Sequence, residues 1–290
     1  MEQRQRTLVV NADDLGIDAQ RDLGIAQAIR NGVVRSASMI VNGASSESAA
    51  ELFRRTDWPA RVSIGLHLNL TEGRTIATPS LVRALLHESS EEMLGKFGFR
   101  DRLNEQLDGV IQATAIETRA QIQHFVMLMG SLPSHLDGHQ HVHTIPELAE
   151  TIAQICAEVG ITRTRIPSDN MQVQPWMDTQ TPRYKFLCMV AEQGRRSRAI
   201  YASHGVSSTT SFIGLGLMGL DFTIERMCER LGSCPDGTIE WMCHPGLSST
   251  EGDDFNQSPD RPLELKWLCS TQLRETLSAE RIEVDSFHVV

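Results

Sequence analysis

The apolar positions of this chain fall in short runs, separated by polar turns and by stretches with helical spacing. "TLVV" at 7–10 is a β-rich apolar run that ends in the polar "NADDLG", the pattern of a buried strand entering a turn. From Asp18 to Asn31, Leu23, Ala26 and Ile29, with Ala28 or Ile25, can line one face of a helix, and Gly32 is placed to stop it. "SASMIVNG" at 36–43 predicts the next strand. "SSESAAELFRR" at 45–55 predicts a helix capped by Ser45 or Ser46, and "VSIGLHLNL" at 62–70 a strand with a histidine inside it. The alternation of strand and helix argues for a parallel sheet covered by helices. Right-handed crossovers would then bring the carboxyl ends of the strands to one edge.

Beyond residue 70 the pattern loosens and then resumes. Residues 71–110 carry Pro79, Gly95, Gly98 and Gly109 and read as a long excursion, a lid or substrate-side loop. Helices predicted over 116–129 and 146–159 lead into "PSHLDGHQHVH" (133–143) and "TRTRIP" (162–167). Further helices are expected over 182–196, 223–231 and 263–278, the last preceding "IEVDSFHVV" (282–290), with a strand in "TIEWMCHPG" (238–246). "SSTEGDDFNQSPDRP" at 248–262 reads as a mobile loop. There is no internal repeat and no linker, so residues 1–290 are expected to form a single domain.

Composition narrows the function classes. Hydrophobic residues make up 40% and charged ones 22%, an ordinary globular balance. The net charge of -10 leaves only Arg195, Arg196 and Arg198 as a basic cluster, so neither nucleic acid nor an anionic membrane is an expected partner. No apolar run reaches the length of a membrane span, and the first fourteen residues lack the apolar core of a secretory signal. The six cysteines form no C-x-x-C pair and read as mostly buried reduced thiols, which points to a cytoplasmic protein.

Candidate chemistry sits where strands should end. Asp13 and Asp14 follow the first strand, His67 lies in the third, and four of the ten histidines fall between 135 and 143. An aspartate and two histidines from separate strands make a suitable set for a divalent metal. Each also has a plainer reading: a capping turn for the aspartates, a hydrogen-bonded core histidine for His67, a polar strand end for the cluster. Alternation puts His135, Asp137, His139, His141 and His143 on one face of an extended strand. At ~3.3 Å per residue the outer two would lie roughly 26 Å apart, so one ion cannot collect them all. A bend after Asp137 at Gly138 is expected, with one ligand from this stretch and Asp137 or a neighbouring histidine supporting it. Arg165 in "RIP" and His244 in "CHPG" fall at later strand ends, and a histidine beside a developing oxyanion can act as an acid. "GLGLMG" at 214–219 is a weak nucleotide signal, since no clean strand precedes it and no helix follows. No G-x-S-x-G motif is present.

Taken in order, "NADDLG", "GLHLNLTEG", "HLDGHQHVH", "RIP" and "HPG" resemble the YdjC-like carbohydrate deacetylases, among them the chitooligosaccharide deacetylases. The resemblance runs from about residue 6 to 286. "GKFGFR", "SFIGLGLMG" and the acidic loop before the last helix look closest to the animal-type homologues, and "NADDLG" departs from the more usual "NADDFG" only at Leu15. The resemblance implies an α/β fold, an irregular (β/α) barrel related to the NodB-type polysaccharide deacetylases. It implies Asp14, His67 and His139 as metal ligands, Asp13 as general base, Arg165 as the residue restraining Asp13, and His244 as general acid or oxyanion partner. The family is described with magnesium, whereas two imidazoles favour zinc or another transition metal. A small acetylated sugar or oligosaccharide is the implied partner, and a homo-oligomer is left open. Two other readings stay open: a catalytically silent sugar-binding or scaffold protein, and a metal hydrolase of another amide or ester.

Overall fold

The computed structural model describes residues 6–55, 57–58, 60–170 and 178–290. The first half runs β1 (Arg6–Leu15), α1 (Ala19–Asn31), β2 (Ser36–Met39), α2 (Ser46–Arg55), β3 (Ser63–Leu68), α3 (Gly95–Glu105), α4 (Leu107–Met129), β4 (Leu136–Gly138) and α5 (Pro146–Val159). The second half runs α6 (Pro182–Ser203), β5 (Ser211–Ile213), α7 (Ile224–Ser233), β6 (Gly237–Cys243), α8 (Asp254–Gln257), α9 (Asp260–Leu268), α10 (Thr271–Ala279) and β7 (Ile282–Asp285).

All seven strands are parallel, in the order β4-β3-β2-β1-β6-β5, with β7 also on β1. One edge of β1 pairs with β6 from Arg6 to Ala12. Its other edge pairs first with β7 and then, from Asn11 onward, with β2. Three strands therefore share β1, and pairing with β6 to Ala12 and with β2 to Leu15 carries it through the polar "NADDL" instead of stopping at Val10. The sheet curls until its ends meet. Leu136 donates its N–H to Arg163, Thr164 to Ser207, and Ser207 to Thr162, and residues 211–213 return to β6. The result is the irregular (β/α) barrel expected from the sequence. Leu8, Val10, Ala12, Leu66, Leu136 and Ile239 fill its wall and core.

Local chemistry explains where the helices start and stop. Asp18 caps α1 by accepting from the N–H groups of Gln20 and Arg21. Pro146 opens α5 and left-handed Gly160 closes it. Thr223 caps α7 through the N–H of Arg226.

Several expectations need correction. Leu23, placed on the inner face of α1, is 48% exposed, and Arg21 and Asp22 are buried instead. The excursion is more ordered than its sequence suggests, because α4 begins at Leu107 and buries Val110, Ala113, Glu117 and Gln121. The Glu117 carboxylate accepts from the N–H groups of Ile76 and Ala77, and Gln121 bonds both backbone groups of Asn69. "HQHVH" is not a strand. β4 lasts three residues, and the chain coils from His139 to Thr144. "TRTRIP" contributes only isolated bridges. The last helix is broken at Cys269, where Ser270 caps a new one. The 248–262 segment holds α8 and the start of α9, with Asn256 buried. All six cysteines are free, but only Cys156, Cys234 and Cys243 are buried. No described helix is long and apolar enough to cross a membrane.

Candidate metal and catalytic site

The two aspartates come from a bulge. Between Ala12 and Leu15 the register of β1 against β2 slips by one residue, and Asp14 takes a left-handed backbone (φ 68°). On a regular strand, neighbouring side chains would point to opposite faces. Here Asp13 and Asp14 both line one cavity, of about 340 Å³, at the carboxyl ends of the strands. His67 comes from β3, His139 from the coil after β4, Arg165 from the bridge that follows, and His244 from the end of β6.

Asp14, His67 and His139 converge. His67 Nε2 lies 3.3 Å and His139 Nδ1 3.1 Å from Asp14 Oδ1. One ligating atom from each of the three lies within 4.8 Å of the other two. The far side of each imidazole meets a carboxylate: His67 Nδ1 donates to Asp137 Oδ1 (2.7 Å), and His139 Nε2 lies 3.3 Å from Glu72. That is how proteins orient metal-binding histidines. Arg21 donates to Asp14 Oδ2 at 2.7 Å, leaving Oδ1 to face the histidines.

The electrostatics suit a dication. Burial pushes Asp14 up, but hydrogen bonds from His139 and His67 and the Arg21 charge outweigh it and hold the carboxyl well below the usual range. Burial pushes His67 down, yet Asp137 and Asp13 raise it to about 10. His139 is likewise depressed by burial and raised, to about 9, by Asp14 and Glu72. The carboxylates thus favour positive charge where the three ligand atoms meet. A second set, Asp13, His67 and Asp137, also converges, but its carboxylates already share the Arg165 guanidinium. The first set keeps Asp14 Oδ1 clear of Arg21, whereas in the second Arg165 occupies both oxygens of Asp13.

Arg165 is fully buried and organises the other half of the site. It grips both oxygens of Asp13 (2.5 and 2.6 Å), lies 3.0 Å from Asp137 Oδ2, and donates Nε–H to Glu240 at 2.6 Å. Asn11 and Ser38 add bonds to Asp13 Oδ1. Asp13 Oδ2 is left facing His67 Nε2 at 3.9 Å and His244 Nε2 at 3.8 Å. His244 is fixed by its backbone N–H on Glu264 (2.6 Å) and by Phe255 edge-on to its ring. Burial depresses its pKa well below the ordinary value, and the attraction of Asp14 does not offset this; Arg261, Arg21 and Arg165 press the same way as burial. It therefore stands as a neutral imidazole.

The structure brings together all six residues expected from the sequence. It also adds four that sequence reasoning did not single out. Glu72 lay inside the quoted "GLHLNLTEG". Arg21 could have been noticed as a charge among the apolar positions of α1. Glu240 is a charge inside an apolar strand. Asn256, from the supposed mobile loop, accepts from Arg21 (2.7 Å) and donates to Asp18, docking the loop behind Asp14. Around this polar floor stand Ile17, Phe186, Leu187, Met218, Met242 and Phe255.

Comparison with known proteins identifies the family. The YdjC-like protein family matches residues 7–279. A human protein named carbohydrate deacetylase is 34% identical over 300 residues, covering 98% of this chain and 91% of its own. A chitooligosaccharide deacetylase of Citrobacter koseri is 38% identical over 290 residues, 98% of each chain. The resemblance to animal-type and bacterial homologues is thus met in both groups. Among solved structures, an Enterococcus faecalis protein named for a proposed part in cellobiose-phosphate cleavage shares the fold, with a TM-score of 0.74, 21% identity and 98% of both chains covered.

Proposed function

This chain belongs to the YdjC-like protein family, and from that premise we propose that it is a metal-dependent hydrolase that removes acetyl groups from N-acetylated carbohydrates. The observation that carries the reading is the facing of two sets across one cavity: Asp14, His67 and His139 on one side, Asp13 with Arg165 and His244 on the other. Asp14, His67 and His139 would hold one divalent ion, and two imidazoles with one carboxylate favour zinc or another transition metal over magnesium. Such an ion supplies Lewis-acid polarisation of the acetamide carbonyl and lowers the pKa of water.

The chain's own residues do the rest. Arg165 fixes the plane of Asp13, and Oδ2 accepts the proton of the attacking water as the C–O bond forms. His244 offers its neutral N–H to the oxyanion. The C–N bond then breaks, the proton held by Asp13 passes to the departing sugar nitrogen, and acetate leaves. The apolar wall of Phe186, Met218 and Phe255 suits the C–H face of a pyranose ring. Free thiols support a reducing, cytoplasmic setting.

The test is an acetate-release screen over N-acetylglucosamine oligomers, with metal content measured on the same protein. His67→Ala and His139→Ala are expected to lose both bound metal and acetate release. A metal-loaded wild type that releases no acetate from any N-acetylated sugar would overturn the reading.

A further inference from the structure

Building on that reading, we infer that His141 is a substrate-contacting residue that hydrogen-bonds a hydroxyl of the sugar, so that the pocket recognises a carbohydrate and not only its acetamide. Three observations carry this.

The first is where the backbone is strained. Among the described residues, four non-glycine positions have positive φ: Asp14, Gln140, His141 and Arg281. The first three line the same cavity. Gln140 (φ 52°, ψ 23°) and His141 (φ 59°, ψ 29°) are consecutive left-handed residues, a costly arrangement for side chains with a Cβ. For Asp14 the same conformation accompanies a carboxylate turned to the two histidines.

The second is how the coil is pinned around His141. His139 is held by Asp14 and Glu72, Gln140 donates to Glu72, and His143 Nε2 donates to the Arg165 carbonyl at 3.0 Å. Tyr201 donates to the His143 carbonyl (2.8 Å) and Thr144 to that of His141 (3.0 Å). Of the polar side chains from His139 to Thr144, only that of His141 has no hydrogen-bond partner among the described residues, and its Nδ1 is buried without one. A strained residue that lines a cavity with its side chain unpartnered calls for a ligand.

The third is the chemistry left over. His141 belongs to neither group of converging metal-ligating atoms, and the acetamide is already served by Asp13, Asp14, His67, His139 and His244. An imidazole carries two ring nitrogens able to hydrogen-bond. A hydroxyl, itself donor and acceptor, is the matching partner, and a sugar ring carries several.

The experiment pairs His141→Asn and His141→Ala with deoxy analogues of an N-acetylglucosamine disaccharide, each lacking one hydroxyl. Asparagine tolerates the left-handed backbone, so it guards against a mere folding defect. Dissociation constants by calorimetry and kcat/KM for acetate release are measured for every pair, with metal content as control. Removing either the side chain or the contacted hydroxyl should weaken wild-type recognition roughly tenfold, with metal content unchanged. Removing both should cost no more than removing one. Fully additive losses at every hydroxyl, or loss of metal in both variants, would overturn the assignment. A wild type that binds sugar without releasing acetate refutes the deacetylase reading alone, while the cycle on binding still decides His141. A wild type that does neither refutes both.

Discussion

Replacing Asp137 by Asn changes one atom of a side chain that hydrogen-bonds His67 and ion-pairs with Arg165. In the native protein Oδ1 accepts from His67 Nδ1 at 2.7 Å, while Oδ2 lies 3.0 Å from Arg165 Nη2, and all three side chains are almost wholly buried. An amide has one oxygen to offer the His67 donor and the Arg165 charge, and no charge of its own. If the oxygen stays on Arg165, the NH2 faces His67, which must then carry its proton on Nε2, the nitrogen needed at the metal. If the oxygen turns to His67, the NH2 is forced against a guanidinium in a dry interior. Either orientation penalises the ligand geometry. Partners of this kind contribute about 10–100-fold in metal affinity, equivalent to roughly 1.4–2.7 kcal/mol. Arg165 keeps Asp13 and Glu240, so the fold should survive. The assay is a competition titration of metal-stripped protein against a chromogenic chelator, for wild type, Asp137→Asn and Asp13→Asn. Asp13→Asn is expected to bind metal nearly as wild type but to release acetate far more slowly. Unchanged affinity in Asp137→Asn would refute the supporting role. A larger affinity loss in Asp13→Asn would mean that the ion sits among Asp13, His67 and Asp137, or that the two aspartates exchange roles.

Two further outcomes test other parts of the structure. Burial pushes Glu240 up to about 8 from 4.5, with Arg165 only partly opposing it. A carboxyl raised on folding contributes stability that is complete below 4.5 and lost as pH rises through about 8. Glu240→Gln keeps an acceptor for Arg165 and cannot ionise, so in denaturant titrations at about pH 5 and about pH 9 it should hold its stability where wild type loses some; parallel losses would show that Glu240 is not the group responsible. Gly24→Ala would place a Cβ 2.4 Å from Gly246 Cα, backbone against backbone, and so must push α1 off the segment carrying His244. A loss of about 1–3 kcal/mol is expected, seen as a lower melting temperature with reduced turnover, and a variant as stable as wild type would show that the helix does not pack there as described.

Much of this architecture is written locally. The alternation of short apolar runs with amphipathic segments determines a parallel sheet with helical crossovers, and that topology alone gathers strand ends on one edge. Histidine and aspartate at those ends then mark the site, because polar groups there are out of place in a plain core. Asp13, Asp14, His67, Arg165 and His244 stood out for this reason, while His139 was singled out from its cluster only by the family resemblance. What the sequence could not decide depends on contacts between residues far apart in the chain. The bulge that turns both aspartates inward lies where β6 and β7 have left β1 and only β2 still pairs with it. The left-handed pair at Gln140 and His141, which replaces the expected bend at Gly138, persists because Asp14, Glu72, Arg165 and Tyr201 pin the coil on either side. At Gly138 itself the backbone is extended (φ -148°), and a Cβ would meet His143 Nδ1 at 2.7 Å, so that glycine supplies room rather than a bend. Local periodicity determines which elements form. Strain and buried charge need partners from elsewhere in the chain, so only the tertiary structure decides where the chemistry points.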